Sequence, residues 1–258
     1  MQKELYRLML KYGFKPNHKL DQNFIIDTNA VSSVVSLLKI SKDDVILEIG
    51  GGTGFLTKEL VNHAKKVIVI EKDNDLAEVL STEISAKNLE IINDDFLKVD
   101  ISKIKFTKIT GFIPYSISSG IIEKISSSSP AVLVVQKEFA EKLTALPGFE
   151  NYNAISVLAQ TYGIIKIHKT IKRGSFFPVP KCESSIITID PKKVHKSQDE
   201  KYNLFVKGLF RHSNKDLGNS MKMAGVATSA IKKINQEFIK RKVKLLDVDE
   251  IEEIYKTL

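Results

Sequence analysis

Five short runs rich in β-branched residues, Val45–Ile49, Val67–Glu71, Leu89–Ile92, Ile109–Ile113 and Val132–Gln136, alternate with amphipathic stretches through the first half of the chain. The stretches Ala30–Leu38, Phe55–Ala64, Asp73–Ser85, Ser118–Ile125 and Lys137–Leu143 carry helical spacing. Strands that are apolar on both faces and follow one another through helices must lie parallel, with helices covering each face of the sheet. The pattern therefore predicts a doubly wound, Rossmann-like α/β sheet. Two later apolar runs, Ile155–Tyr162 and Ser184–Asp190, are expected to complete that sheet as antiparallel strands. A chain of 258 residues, 43% of them hydrophobic, is large enough to bury a core of this kind.

The pattern changes near residue 190. The segment Pro191–Lys201 is polar, charged and opened by proline, as a linker would be. Beyond it Tyr202, Phe205, Val206, Leu209 and Phe210 share one helical face, and Asp247 or Asp249 is placed to cap a last helix carrying Ile251, Ile254 and Tyr255. Two domains are predicted, residues 1–190 and a small helical domain, 191–258. The charge is uneven across them. Lysine and arginine number 39 against 31 acids, and the final segment, with 15 against 9, contributes +6 of the net +8. Such a surplus attracts polyanions, of which nucleic acid is the usual one; the alternative is a solubilising lysine surface, since nearly all the cations are lysine.

Other classes are disfavoured. No run approaches the roughly 18 apolar residues of a membrane helix, and the opening MQKELYRLMLKYGFKPNHK has no signal-peptide pattern. The one cysteine, Cys182, has no partner for an internal disulfide, and His18, His63, His168, His195 and His212 show no ligand spacing. A cytoplasmic protein without a metal site is expected.

The residues that carry chemistry lie at successive strand ends. Glu48-Ile-Gly50-Gly-Gly52-Thr-Gly54 follows the first strand and opens a helix, where glycines permit a tight turn and close approach of a ligand. Glu71 ends the second strand, placed to accept both hydroxyls of a ribose. Asp95 follows the third, placed to accept an adenine amino group, with Phe96 beside the ring. Ligands of parallel sheets bind outside the carboxyl ends of the strands, so three such elements in succession point to a nucleoside cofactor. These elements leave a dinucleotide and S-adenosylmethionine both open.

The fourth strand end reads Thr110-Gly-Phe112-Ile113-Pro114-Tyr115-Ser116. With it the chain resembles the small-subunit ribosomal RNA adenine dimethyltransferases, whose motif here is Asn-Leu/Ile-Pro-Tyr. The resemblance extends to Leu20-Asp-Gln22-Asn23-Phe24-Ile25-Ile26-Asp27, Val135-Gln-Lys-Glu-Phe-Ala140, Ala145-Leu-Pro-Gly148, Phe176-Phe-Pro-Val-Pro-Lys181-Cys-Glu-Ser184 and Phe210-Arg211-His-Ser-Asn-Lys215. It implies S-adenosylmethionine as the cofactor, held by Gln22, Asn23, Ile25, Gly50, Gly52, Glu71, Asp95, Phe96 and Phe112. It implies a target adenine flipped between Tyr115 and Phe176, beside Ile113 and Pro114. The charge of the basic helical domain places Arg211, Lys215, Lys222, Lys232 and Lys233 to meet RNA phosphates, the alternative for each being a solvated helix face; Lys181 is expected at the RNA too, and a monomer acting on immature small subunits is expected. The expected product is dimethyladenosine at two adjacent adenines.

Two positions depart from the family pattern. Asp21 stands where bacterial members often have Gly, and little effect is expected from it. Phe112 stands where the family has Asn, whose side-chain oxygen accepts from the adenine amino group. Phenylalanine has no acceptor, which leaves only the Ile113 carbonyl of that pair. A lost transition-state hydrogen bond costs roughly 2–4 kcal/mol, or about 30- to 1000-fold in rate. Three readings follow: an enzyme working with a rearranged pocket, a slow or incomplete methylase, and a ribosome assembly factor that binds without methylating.

Overall fold

The computed structural model describes residues 1–125, 127–192 and 199–258. Most of the expected linker, 193–198, lies outside the described residues. Nine strands are formed among the described ones: β1 (Phe24–Ile25), β2 (Val45–Ile49), β3 (Lys66–Glu71), β4 (Leu89–Asn93), β5 (Lys108–Phe112), β6 (Ala131–Gln136), β7 (Gly163–Ile171), β8 (Phe176–Phe177) and β9 (Ser184–Pro191). Seven build one sheet in the order β4-β3-β2-β5-β6-β9-β7, while β1 and β8 pair separately, Ile25 opposite Phe176. The five strands expected from the apolar runs are parallel, with Glu48 opposite Val69 on one side and Thr110 on the other. β9 closes against β6 in antiparallel register.

The winding reverses between β2 and β5. From β2 the chain adds β3 and β4 on one side, then returns to place β5 on the other, which opens a crevice at the carboxyl ends of β2 and β5. Their flanking helices, Thr28–Leu38, Phe55–His63, Asn74–Glu83 and Ser118–Ile125, bury Val34, Leu60, Leu80 and Ile122. Asp27 and Asp73 cap two of these helices, their carboxylates accepting the first free N–H groups.

One expected strand is a helix. The run expected as a strand at Ile155–Tyr162 belongs to the helix Ala154–Tyr162, capped by Asn153 in reciprocal bonding with Ser156. Ser156, Val157, Leu158, Ala159, Thr161 and Tyr162 are all buried, so the helix is apolar around most of its circumference and its 3.6-residue period is hidden. The strand is the next segment, β7, whose Lys166, His168 and Lys169 leave it largely solvated and without an apolar run to mark it.

The chain divides into two compact units. The first contains Met1–Ile125, Ser129–Lys137 and Lys166–Asp190; the second draws on Glu138–Ile165 as well as the segment from Pro191. Within the second, Tyr152, Leu158, Val206, Leu209 and Ile251 belong to one core. Its buried phenols are satisfied: Tyr152 donates to the Leu246 carbonyl at 2.9 Å, and Tyr202 pairs with Thr161 at 3.1 Å. Asp247, rather than Asp249, caps the last helix, in a capping box with Glu250.

Candidate active site

After β2 the chain turns through Gly50–Gly54 before the helix Phe55–His63 begins. Gly50 and Gly52 take φ of 72° and 53°, left-handed values that cost a residue with a side chain roughly 1–2 kcal/mol. The turn also presents a backbone donor. The Gly52 N–H donates to Glu71 Oε2 at 2.9 Å, and the Asp73 N–H donates to Glu71 Oε1, also at 2.9 Å. Glu71 therefore joins the turn after β2 to the turn after β3. Burial pushes its carboxyl above the usual range, against the pull of these N–H groups.

A second acid lies deeper. Glu48, in the middle of an otherwise apolar strand, is 1% exposed, and its Oε2 has no hydrogen-bond partner among the described residues. Burial pushes its carboxyl up to about 8; the Thr57 hydroxyl nearby opposes the shift and the Glu71 charge adds to it. An unpaired buried oxygen on the wall of a cavity is able to meet a polar group bound there. In sequence Glu48 figures only as the first residue of the glycine motif. A lone acid within Val-Ile-Leu-Glu-Ile was the signal that would have found it.

At the end of β4, Asp95 Oδ2 pairs with Lys72 Nζ at 3.0 Å, and its Oδ1 accepts the Leu97 N–H at 3.0 Å. The lysine is the main cause holding this carboxyl below its ordinary range, so Asp95 is ionised and fixed in direction. Phe96 is buried next to it, with Lys124 Nζ 5.3 Å from the ring centroid.

The loop after β5 forms the facing wall. The Ile113 N–H donates to the Val134 carbonyl at 2.9 Å, which fixes the start of the loop, and the Tyr115 hydroxyl lies 3.0 Å from Ser184 Oγ on β9. Burial raises the Tyr115 hydroxyl above its usual range. Phe112 packs edge-on to Phe176, with centroids 6.2 Å apart and planes at 75°. The pairing of β1 with β8 sends Phe176 into the cavity, whereas Phe177 packs on Tyr6 with centroids 5.3 Å apart.

The third wall is the segment before β1. Gln22 Nε2 donates to Asp73 Oδ2 at 2.7 Å, and Asn23 Nδ2 donates to the Asp21 carbonyl at 3.0 Å. Asp21 is itself part of this wall. It adopts φ 50°, and its Oδ2 accepts the Ser116 N–H at 2.9 Å. Glycine takes such a left-handed backbone without strain; the acid adds a contact that glycine lacks.

These walls enclose a cavity of about 200 Å³, against roughly 10–15 Å³ for a single water. Gln22, Asn23, Ile25, Gly50, Gly52, Glu71, Asp95, Phe96, Phe112, Ile113, Pro114, Tyr115 and Phe176 all line it. Sequence reasoning missed Asp21, Glu48, Lys72 and Ser184, which line it too. Lys181, Arg211, Lys215 and Lys222 are exposed and do not line the cavity.

The pattern of the family described as ribosomal RNA adenine dimethylase matches residues 13–258. The protein named "Probable ribosomal RNA small subunit methyltransferase A" in Pyrococcus abyssi is 38% identical over 224 residues, covering 86% of this chain and 81% of that protein. Its namesake in Pyrococcus furiosus is 36% identical over 265 residues, covering 98% and 96%. The crystal structure of a dimethyladenosine transferase from Plasmodium falciparum matches with a TM-score of 0.79 at 25% identity, over 91% of this chain and 98% of that one. Matched across nearly its whole length by the family pattern and by relatives of similar size, the chain belongs to the ribosomal RNA adenine dimethylase family.

Proposed function

We propose that the protein transfers methyl groups from S-adenosylmethionine to the N6 atoms of two adjacent adenines in small-subunit ribosomal RNA, acting as a monomer on immature small subunits in the cytoplasm. The observation that carries this reading is the meeting of the glycine turn, Glu71, Asp95 and the Ile113-Pro114-Tyr115 loop around one cavity.

The donor set suits that cofactor. Glu71 keeps lone pairs for ribose hydroxyls after accepting its two N–H groups, because a carboxylate has about four acceptor sites. Asp95 is anionic at the place given to the adenine amino group. The unpaired Glu48 Oε2 supplies a buried acceptor for a cationic ligand end. When bound, the cofactor supplies a sulfonium methyl as the electrophile. The chain itself does the positioning. Tyr115 and Phe176 offer aromatic faces to the target base, and stacking contributes roughly 1–3 kcal/mol per base. The Ile113 carbonyl is the acceptor assigned to the adenine amino group; it favours a more tetrahedral nitrogen and aims it, which is catalysis by orientation. Arg211, Lys215 and Lys222 hold RNA phosphates, and Lys181 reaches the RNA from the first unit.

A second reading, an assembly factor that binds immature subunits without methylating them, is favoured by one observation. Phe112 replaces the family Asn, and its ring is already packed against Phe176. Single-turnover transfer of labelled methyl to immature small subunits separates the two. Incorporation into dimethyladenosine supports the enzyme; tight binding of subunits with no incorporation supports the assembly factor.

A further inference from the structure

The hydrogen bond from the Ser116 N–H to Asp21 Oδ2, 2.9 Å long, links two walls of the cavity. The donor lies in the short turn Tyr115–Ile117, whose first N–H groups have no partner within the turn, and a carboxylate meets such a donor strongly. The acceptor residue holds φ 50° and ψ 33°, a backbone that glycine takes freely and aspartate takes seldom. Polar contacts run on from both ends. Next to Asp21, Gln22 donates to Asp73; the Asp73 N–H donates to Glu71; and Glu71 accepts the Gly52 N–H. Next to Ser116, the Tyr115 hydroxyl meets Ser184. The Asp21 charge is felt at the Tyr115 hydroxyl as well.

We propose that Asp21 is a positioning residue that couples the two parts of the cavity, so that filling the part walled by Gly52 and Glu71 fixes the Tyr115 loop through the Asp21–Ser116 hydrogen bond. This rests on the reading of that part as the cofactor site. Coupling between two sites is reciprocal, so a base held against Tyr115 tightens the cofactor in turn. Glycine at position 21 keeps the left-handed backbone without strain and deletes only the link, whereas asparagine tolerates that backbone and retains an acceptor oxygen.

Amide hydrogen exchange of the full-length protein, with and without S-adenosylhomocysteine, tests the coupling, alongside calorimetry of the same ligand. In the wild type the ligand should slow exchange across Ser116 and Ile117 by about fivefold or more, the lower end of ordinary intersite coupling. Asp21→Asn should keep that slowing. Asp21→Gly should still bind the ligand, with its affinity lowered by no more than the coupling factor lost, yet lose the slowing. An Asp21→Gly protein that retains the wild-type slowing overturns the proposal, as does one that no longer binds the ligand. Absence of binding to the wild type overturns the cofactor reading first, and calorimetry on the wild type alone identifies that case.

Discussion

Glu71 and Gly52, brought together by adjacent parallel strands, share a 2.9 Å hydrogen bond in which the glycine turn donates to a buried carboxylate. The same carboxylate holds the Asp73 N–H. Glu71→Ala should therefore lower stability as well as cofactor affinity, since hydrogen bonds to charged groups contribute roughly 1.5–3 kcal/mol each. Denaturant unfolding and calorimetry with S-adenosylhomocysteine measure the two losses separately. An Ala variant of unchanged ligand affinity would remove the cofactor from this strand end.

Glu48 predicts a pH dependence of stability. Its folded pKa of about 8 lies above the ordinary 4.5, so between these values the folded protein binds more protons than the unfolded chain. The contribution is complete below pH 4.5 and is lost as pH rises through 8. Its slope is at most about 1.4 kcal/mol per pH unit. Glu48→Gln, which cannot titrate, should flatten the fall in stability seen from pH 5 to pH 8. Unfolding of both forms across that range should show the difference; equal slopes would mean that Glu48 ionises freely in the fold.

Phe112→Asn should raise methylation and lower stability together. The Asn oxygen restores an acceptor that strengthens as the attacking nitrogen gains positive charge, which favours the transition state over the bound base. The half-buried Phe112 ring packs against Phe176 and the first unit's core, and losing it leaves a void that costs on the order of 1–3 kcal/mol at a partly exposed site. Single-turnover rates and thermal unfolding of the two forms check both directions. A wild-type rate already typical of an enzyme, with no gain from Asn, would assign the chemistry to the Ile113 carbonyl and stacking alone.

Affinity for small subunits should fall steeply with salt. Arg211→Ala and Lys215→Ala should each reduce the slope of log affinity against log salt by about one, as expected for a lost phosphate contact. Filter binding over a salt series is the measurement. A flat salt response would mark the basic surplus as a solubility feature.

Much of the parallel sheet was legible because its strands are continuous β-branched runs; β2 matches the expected run to the residue, and the others match within one residue at either end. The cavity was legible for a related reason: its residues sit at strand ends, and strand ends follow from the apolar pattern. Ala154–Tyr162 was not legible as a helix, because burial on most sides erased the polar stripe that reveals helical period. Glu48 and Asp21 were hidden differently. The importance of Asp21 lies in a contact to Ser116, 95 positions away, that no local spacing encodes; that of Glu48 lies in an unpaired oxygen, of which a lone acid in an apolar run is the one local sign.

The pairing of β2 with β5 has a consequence for the birth of the protein. Leu47 and Ile109, partners in that ladder, are separated by the whole excursion through β3 and β4. Parallel pairing across such a loop closes slowly, because chain entropy is lost before any contact compensates it. A nascent chain that has emerged only through β4 thus has Gly52 and Glu71 but lacks Phe112 to Tyr115, one side of the pocket. A ligand needing both sides has nothing complete to bind until β5 docks. Once bound, it stabilises only chains in which that pairing is made, and by mass action it draws a slow step of folding toward completion.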